Sequence, residues 1–385
     1  MRKIKITLLP RIIIAIVLGI VLGQFMPESL ARVFITFNSV FSQFLGFLIP
    51  LIIIGLVTPA IADIGKSAGR MLMAAVGIAY LDTVLSGMLA YGTGNILFPG
   101  LVANASGLES IAKPEDLQPY FTIQIPAIVD VMGGLVFAFM TGLCIAYGSH
   151  PTLKAVFSEF RDIITRVIAA CVVPLLPIYI FGIFLNMTVS GQVWHILTVF
   201  AMIIVVIFVL HLFILLYEFL IAGAVARRNP LHLLLNMLPA YFTALGTSSS
   251  AATIPVTLKQ TLKNGVSEDV ASFTVPLCAT IHMSGSAMKI TACALTICLL
   301  EGIPYSTAMF LHFVLMLGIC MVAAPGVPGG AIMAALGPLA SILGFDSEAQ
   351  ALMIALYIAM DSFGTACNVT GDGAIAVVVD KIFRK

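Results

Sequence analysis

The chain has 385 residues, of which 60% are hydrophobic and only 10% carry a charged side chain. A soluble domain has about 25% charged residues, so this composition excludes an ordinary soluble protein, and the formal net charge of +1 gives no electrostatic basis for a nucleic-acid partner. Apolar stretches of about 20 residues, the length that crosses a hydrocarbon core of about 30 Å, recur along the chain. They predict an all-α polytopic membrane protein.

Eight apolar runs have the length of a transmembrane helix. They lie at residues 8–26, 35–62, 71–98, 121–148, 162–188, 194–224, 271–300 and 349–380. Basic side chains form clusters outside or at the ends of these runs, at residues 2–5, 66–70, 154–166, 227–228 and 381–385. The stretch 103–119 instead carries three acidic side chains and one lysine. The positive-inside rule therefore predicts a multi-pass protein of the cell membrane with both termini cytoplasmic and an even number of crossings.

Two further segments, 235–262 and 306–345, are apolar but contain a central cluster of Ser, Gly and Pro. Non-helical backbone at membrane depth is tolerated only where protein covers it or where it lines a wet cavity. Paired interrupted segments of this kind are typical of a transporter's binding site. We therefore predict two re-entrant helical hairpins, the first entering from the cytoplasm and the second from outside. The span between them, 271–303, is itself interrupted by a polar run at 281–289.

The last span carries a polar stripe within apolar sequence. Its members are Asp361, Thr365, Asn368 and Asp372. The spacing i, i+4, i+7, i+11 places all four on one face of a helix. A carboxylate near a bilayer centre costs about 2.5–3.5 kcal/mol on insertion scales, so two of them indicate a function. Acceptor oxygens in this arrangement suit an ammonium group or a bare cation inside a membrane.

Four motifs together resemble the glutamate transporter family, the dicarboxylate/amino acid:cation symporters. They are SSAATIP at 249–255, HMSGS at 282–286 where the family has N-M-D-G-T, GVPGG at 326–330, and the signature NVTGD at 368–372. The resemblance extends over essentially the whole chain. It implies a transporter, not an enzyme: a homotrimer in the lipid bilayer, with a central scaffold, a C-terminal transport domain that moves as an elevator, and the second hairpin as the extracellular gate.

The resemblance also implies a division of the chain. Scaffold helices are expected in 1–70 and 121–190, and the third span with an external loop in 71–120. The transport core is expected in 191–385. Within it lie hairpin 1 (235–262), the broken helix (271–303), hairpin 2 (306–345) and the polar final helix (349–380). The expected membrane fold thus has eight transmembrane helices and two hairpins.

Residue roles follow from the same resemblance. Asp361 is expected to bind the α-ammonium group of an amino acid substrate, and Asn368 its α-carboxylate together with the hairpin residues Ser249 and Ser250. Asp372 is expected in a buried sodium site. The further substrate-site positions implied are Val327, Gly329, Gly364 and Thr365. Asn368 and the backbone of Cys278 are implied as further sodium ligands.

Gly364 departs from the family pattern, because members with acidic substrates have an arginine there that clamps the side-chain carboxylate. A second position that is arginine in some members is Ser248. Neither Gly364 nor Thr365 supplies a bidentate cation, and a buried acidic group without a counter-cation is strongly penalised. We therefore expect cation-coupled symport of small neutral amino acids such as serine, alanine or threonine. The alternative is an acidic amino acid or dicarboxylate, with Lys289 as the missing cation.

A second sodium site implied by the resemblance also departs from the family pattern. His282 and Ser284 replace the motif's asparagine and aspartate, while Asp82 and Thr83 fall where the family has hydroxyl ligands. Either Asp82 preserves a sodium site with Thr83, His282 and Ser284, or it neutralises His282 or Lys289 and the site is lost. Lys289 and His282 are also candidate proton carriers, so coupling to fewer sodium ions, with protons in part instead, is expected. A static Asp82–Lys289 ion pair is a third possibility.

An intramembrane aspartyl protease and a channel are rival classes. A channel would show flux without accumulation of substrate, and the protease is tested by its geometry. Its two carboxylates must nearly touch, whereas Asp361 and Asp372 are eleven residues apart on one helix, about 16 Å at 1.5 Å per residue. Three other polar residues of the apolar spans, Glu218, His211 and His312, are expected to be interfacial or scaffold residues and not ligands.

Overall fold

The computed structural model describes residues 8–64, 70–106, 117–191, 193–322, 324 and 329–383. All regular structure in these ranges is helical. Among the described residues, six helical stretches are long and apolar enough to cross a membrane: Glu28–Ala62, Arg70–Ala103, Pro151–Val189, Val193–Ala226, Glu268–Glu301 and Asp361–Phe383. This agrees with a multi-pass membrane protein, while the number of crossings stays a prediction.

The N-terminal half forms long helices. They are α1 (Leu8–Gly23), α2 (Glu28–Ile64), α3 (Arg70–Ser106), α4 (Val131–Tyr147), α5 (Pro151–Val167), α6 (Val173–Val189) and α7 (Val193–Ala226). A π-helical turn at Ile168–Val172 joins α5 to α6 into one helical stretch, which begins at Pro151 and not at the predicted 162. The span predicted from 121 is also wrong at its start, because Asp130 caps α4 by accepting a hydrogen bond from the N–H of Gly133.

The C-terminal half is built of shorter helices. They are α8 (Pro230–Thr247), α9 (Ser250–Lys263), α10 (Glu268–Ile281), α11 (Ser284–Glu301), α12 (Thr307–Val322), α13 (Gly330–Ser341), α14 (Ser347–Ala359) and α15 (Asp361–Phe383). Helices α8 and α9 pack against each other, as do α12 and α13. These two pairs occupy the segments predicted as hairpins.

The first pair reverses direction at three serines. Ser248 adopts a left-handed backbone conformation (φ 50°) that ends α8, and Ser249 is the N-cap of α9, accepting a hydrogen bond from the N–H of Ala252. Serine favours such caps because its hydroxyl satisfies an N–H that has no partner in the first turn of a helix. The serine run therefore exposes the start of α9 at the tip of the pair.

Two helices are interrupted at their centres. His282 and Met283 separate α10 from α11, as the polar run predicted. The final helix was predicted as one uninterrupted element over 349–380, and this is wrong, because Met360 separates α14 from α15. The polar stripe itself is unaffected, since all four of its residues lie within α15.

Helix α15 lies inside the protein. It packs against α7, α8, α9, α10 and α11, and α11 in turn packs along α3. In α1 to α6, α1 packs on α6, and α2 packs on α4, α5 and α6. The polar residues of α11 and α15 therefore face other helices and not lipid, which is how charged side chains are tolerated at membrane depth.

Candidate functional site

Three helices begin at one point, which we call the Asp361 junction (Ser248, Gly329, Asp361 and Ser362). The hydroxyl oxygens of Ser248 and Ser362 are 2.7 Å apart, which joins the tip of α8–α9 to the first turn of α15. The N–H of Gly329, at the start of α13, donates to Oδ2 of Asp361 at 2.9 Å. Helix N-termini present unpaired N–H groups and partial positive charge. The junction therefore suits the binding of an anionic group such as a carboxylate.

Lys289 reaches this junction from α11. Its side chain is buried, and Nζ donates a hydrogen bond to the carbonyl of Met360 at 2.8 Å. Nζ also lies 4.3 Å from the centre of the Tyr357 ring, in range for a cation–π contact. A Cβ placed on Gly364 would collide with Nζ and Cε of Lys289. The lysine thus occupies the space that the missing side chain at 364 leaves open.

The charge of Lys289 acts on Asp361. The two groups interact electrostatically, although among the described residues no carboxylate lies within the 4.0 Å of a direct ion pair with Nζ. The ion-pair partner of Asp82 is His282. The Asp82–Lys289 pair considered from the sequence is therefore not formed in this structure, and Lys289 belongs to the Asp361 junction.

Asn368 fastens α15 to the start of α11. Its Oδ1 accepts hydrogen bonds from the N–H groups of Gly285 at 2.9 Å and Ser286 at 3.3 Å. Its Nδ2 donates to the hydroxyl of Ser286 at 3.1 Å. Thr365, one turn earlier, donates its hydroxyl to the carbonyl of Asp361 at 3.0 Å. The predicted polar stripe is therefore largely engaged within the protein.

A second group, which we call the His282 cluster (Asp82, Glu218, His282 and Asp372), lies further along α15. Nε2 of His282 is 2.8 Å from Oδ2 of Asp82, and Nδ1 is 3.0 Å from Oδ1 of Asp372. The histidine lies at the break between α10 and α11 and its side chain is fully buried. The structure thus brings Asp372, which was expected in one sodium site, together with Asp82 and His282, which were expected in another.

Hydroxyl groups support Asp82 in this position. The Tyr217 hydroxyl donates to Oδ1 of Asp82 at 2.6 Å and lies 2.9 Å from the hydroxyl oxygen of Ser86. Thr83 accepts a hydrogen bond from the N–H of Met283 at 3.3 Å and donates its own hydroxyl to the carbonyl of Ala79. Thr83 therefore touches the helix break beside His282.

Glu218 was wrongly assigned to the interface or scaffold. It is buried in α7, and its Oε1 accepts a hydrogen bond from Ser284 at 2.9 Å and lies 4.0 Å from Nε2 of His282. One donor atom from each of Asp82, Glu218 and His282 lies within 4.8 Å of the others. The signal was present in the sequence, because a carboxylate in the middle of a strongly apolar span is a functional candidate by default.

The remaining predicted positions lie as follows. Ser249 and Ser250 begin α9 beside the Asp361 junction. The carbonyl of Cys278 accepts the N–H of His282 at 2.8 Å in the last turn of α10. Val327 lies outside the described residues. His211, which was expected to be a scaffold residue, is buried in α7 with Nε2 3.2 Å from the Tyr241 hydroxyl.

A family model described as the sodium:dicarboxylate symporter family matches residues 8–382. The chain belongs to the sodium:dicarboxylate symporter family. The match covers nearly the whole chain and confirms the resemblance to the glutamate transporter family. It is a family of transporters, and its description names both a carboxylate-bearing solute and sodium. In this family member, helix α15 contributes residues both to a junction suited to a carboxylate and to a cluster rich in carboxylates.

Proposed function

We propose that this member of the sodium:dicarboxylate symporter family carries small amino acids across the cell membrane in symport with a cation. The main support for this proposal is that the N-termini of α9, α13 and α15 meet at Asp361. An α-carboxylate is favoured by the N-termini of α9 and α13, where Ser249 and Ser250 lie. An α-ammonium group is favoured by the Asp361 carboxylate, because charge-assisted hydrogen bonds are the strong ones.

Small neutral amino acids of the serine, alanine or threonine type are the first candidate substrates. Gly364 offers no guanidinium for a second carboxylate. The ammonium of Lys289 is a single point charge that is already hydrogen-bonded to the Met360 carbonyl and stacked on Tyr357. An acidic side chain would therefore lose its hydration without gaining the bidentate partner that arginine provides.

Acidic amino acids or dicarboxylates are the second candidate, favoured by the position of Lys289. Its Nζ lies where a side chain at 364 would begin. An ammonium group has three N–H donors, and the Met360 carbonyl accepts one of them. A modest shift of the flexible lysine side chain would direct the others to a substrate carboxylate.

Sodium, in part replaced by protons, is the proposed coupling ion, and the His282 cluster is its proposed site. Oxygen ligands suit a hard cation such as sodium. Oδ2 of Asp372 is buried and has no hydrogen-bond partner in the described part of the chain, so it is available to a cation. Thr83 and Ser284, whose hydroxyls lie beside the cluster, are the proposed neutral neighbours.

The proposed mechanism is an elevator movement in a homotrimer, with both termini cytoplasmic and the second hairpin as outer gate. The packing supports this division, because α1, α2, α4, α5 and α6 contact one another while α7 to α11 surround α15. Helix α3, which packs along α11, belongs on the transport side. Substrate and cation would then cross together, since both sites share α15.

Uptake into proteoliposomes tests the proposal. Radiolabelled serine, alanine, threonine and aspartate are supplied under an inward sodium gradient, and in parallel under a sodium-free pH gradient. Accumulation of a neutral amino acid with aspartate ignored supports the first candidate. Aspartate accumulation that is lost in Lys289→Met supports the second, and uptake driven by the pH gradient alone assigns the coupling to protons. No accumulation above empty liposomes in any arm would overturn the proposed function.

A further inference from the structure

The His282 cluster sets three carboxyl groups against one imidazole ring. Both ring nitrogens of His282 face carboxylate oxygens, Nε2 facing Asp82 and Nδ1 facing Asp372. A carboxylate only accepts hydrogen bonds, so the ring donates both only when each nitrogen carries a hydrogen, which gives the ring one positive charge. Glu218 adds a third carboxylate. With all three carboxyl groups ionised, one imidazolium would not balance them, and uncompensated buried charge is strongly unfavourable.

Two carboxylate oxygens of the cluster are left without partners. Oε2 of Glu218 and Oδ2 of Asp372 are buried and accept no hydrogen bond from the described residues. Both side chains are more than nine-tenths buried, at 5% and 1% exposure. Buried polar atoms in native proteins are nearly always satisfied, so a pair of unsatisfied anionic oxygens in one cluster points to a bound cation.

Oε2 of Glu218 lies against α15. A Cβ placed on Gly371 would lie 2.6 Å from Oε2 of Glu218 and 2.7 Å from Cε1 of His282. Gly371 directly precedes Asp372. Oε2 of Glu218 is therefore directed at the segment of α15 that carries Asp372, while Ser284 holds the other carboxylate oxygen of Glu218 in place.

We infer that Glu218 is a sodium ligand of this protein, in the group that it forms with Asp82 beside His282. The inference rests on the proposed function, in which sodium is the coupling ion. The imidazole nitrogens are engaged by Asp82 and Asp372, so the free donor atoms are oxygens, which select a hard cation over a transition metal. Glu218 thus supplies, from α7, the carboxylate that is absent at Ser284.

Direct binding of ²²Na⁺ to the purified full-length protein, measured without substrate, tests the inference. Glu218→Gln keeps an oxygen that accepts from Ser284 but removes the charge. We expect the wild type to bind sodium and Glu218→Gln to bind it at least about tenfold more weakly. The reason is that the variant loses the charge of one ligand. Glu159→Gln, which removes an exposed carboxylate of α5, is the matched control and is expected to bind like the wild type.

Two further variants keep the test decisive if Glu218→Gln does not fold. Glu218→Asp keeps the charge and withdraws it by one methylene, so weaker sodium binding is expected at unchanged stoichiometry. Glu218→Gln combined with Ser284→Asp returns a carboxylate to the same cluster and is expected to regain sodium binding. Unchanged affinity in Glu218→Gln or in Glu218→Asp, or a wild type that binds no sodium, would overturn the inference. Sodium binding through Glu218 without accumulation of any amino acid would overturn only the proposed substrate.

Discussion

At the scale of single residues, Gly364 and Lys289 form a matched pair. The lysine needs the volume above Gly364, and the glycine at 364 is compatible with a buried lysine because it has no Cβ. The lysine ammonium then acts on Asp361 without forming a direct ion pair. Any side chain at 364 must displace Lys289, so the two positions are expected to change together.

Gly364→Arg tests this coupling. In the wild-type background the guanidinium and the Lys289 ammonium compete for one space, and overpacking alone costs about 1–3 kcal/mol. We expect Gly364→Arg to abolish uptake, and Gly364→Arg with Lys289→Met to fold and accumulate aspartate. The measurement is uptake of aspartate and alanine by both variants, with Lys289→Met as the third corner of the cycle. Equal activity of Gly364→Arg with and without Lys289→Met would show that the two positions are independent.

His282 is the central cation of its cluster, and its removal is expected to be costly. His282→Asn leaves Asp82 and Asp372 without their shared partner, and breaking a buried pair typically costs about 3–5 kcal/mol. Thermal unfolding in detergent should show a large fall in Tm. His312→Asn, at an exposed histidine of α12, is expected to leave Tm unchanged. A His282→Asn protein as stable as the His312→Asn protein would argue against a paired imidazolium.

At the scale of elements, each of the two helix breaks forms a hydrogen bond with a side chain from the other broken helix. Lys289 of α11 donates to the carbonyl of Met360, at the break between α14 and α15. Asn368 of α15 accepts from two N–H groups at the start of α11. Backbone groups freed at a helix end must find partners when buried. The two breaks are therefore joined by direct hydrogen bonds. These bonds link the Asp361 junction to the His282 cluster.

Asn368→Leu should release one side of this lock. It leaves the N–H groups of Gly285 and Ser286 buried without an acceptor, at a cost of about 1–3 kcal/mol. Hydrogen exchange should report faster exchange at those two amides, and Tm should fall. Asn368→Asp keeps the accepting oxygen and serves as the control, with slow exchange retained at both amides. Fast exchange in both variants would indicate that the acceptor is not what protects the start of α11.

At the scale of the whole molecule, the features that could be predicted from the sequence are those encoded by residues close together in the chain. The polar stripe of α15 and the serine tip of α8–α9 were predicted because each signal lies within one short stretch of the chain. The break at Met360 was not, since no proline or glycine marks it. For Glu218 the sequence marks a buried carboxylate in an apolar span, but which site it joins depends on the packing of α7 beside His282.

The proposed elevator mechanism makes a prediction about the boundary between the scaffold and the transport domain. Helix α6 contacts α14 there through Tyr179, whose hydroxyl donates to the carbonyl of Ser347 at 3.1 Å, and through Asn186, whose Nδ2 donates to Oε1 of Glu348 at 3.3 Å. If α14 and α15 slide past the scaffold, both contacts must break in every cycle. Rigid attachment of α6 to α14 would therefore stop transport.

A cysteine pair at Asn186 and Glu348, bridged by a short bifunctional thiol reagent, tests this in proteoliposomes. The exposed Cys144 and Cys171 are first replaced by serine. The controls are the two proteins that carry only one of the two introduced cysteines, treated with the same reagent. We expect bridging to abolish uptake while ²²Na⁺ binding persists, because no residue of the proposed sodium site lies on α6. Full uptake by the bridged protein would mean that α14 and α6 keep their relative position throughout the cycle, and the movement would then have to be confined to the hairpins.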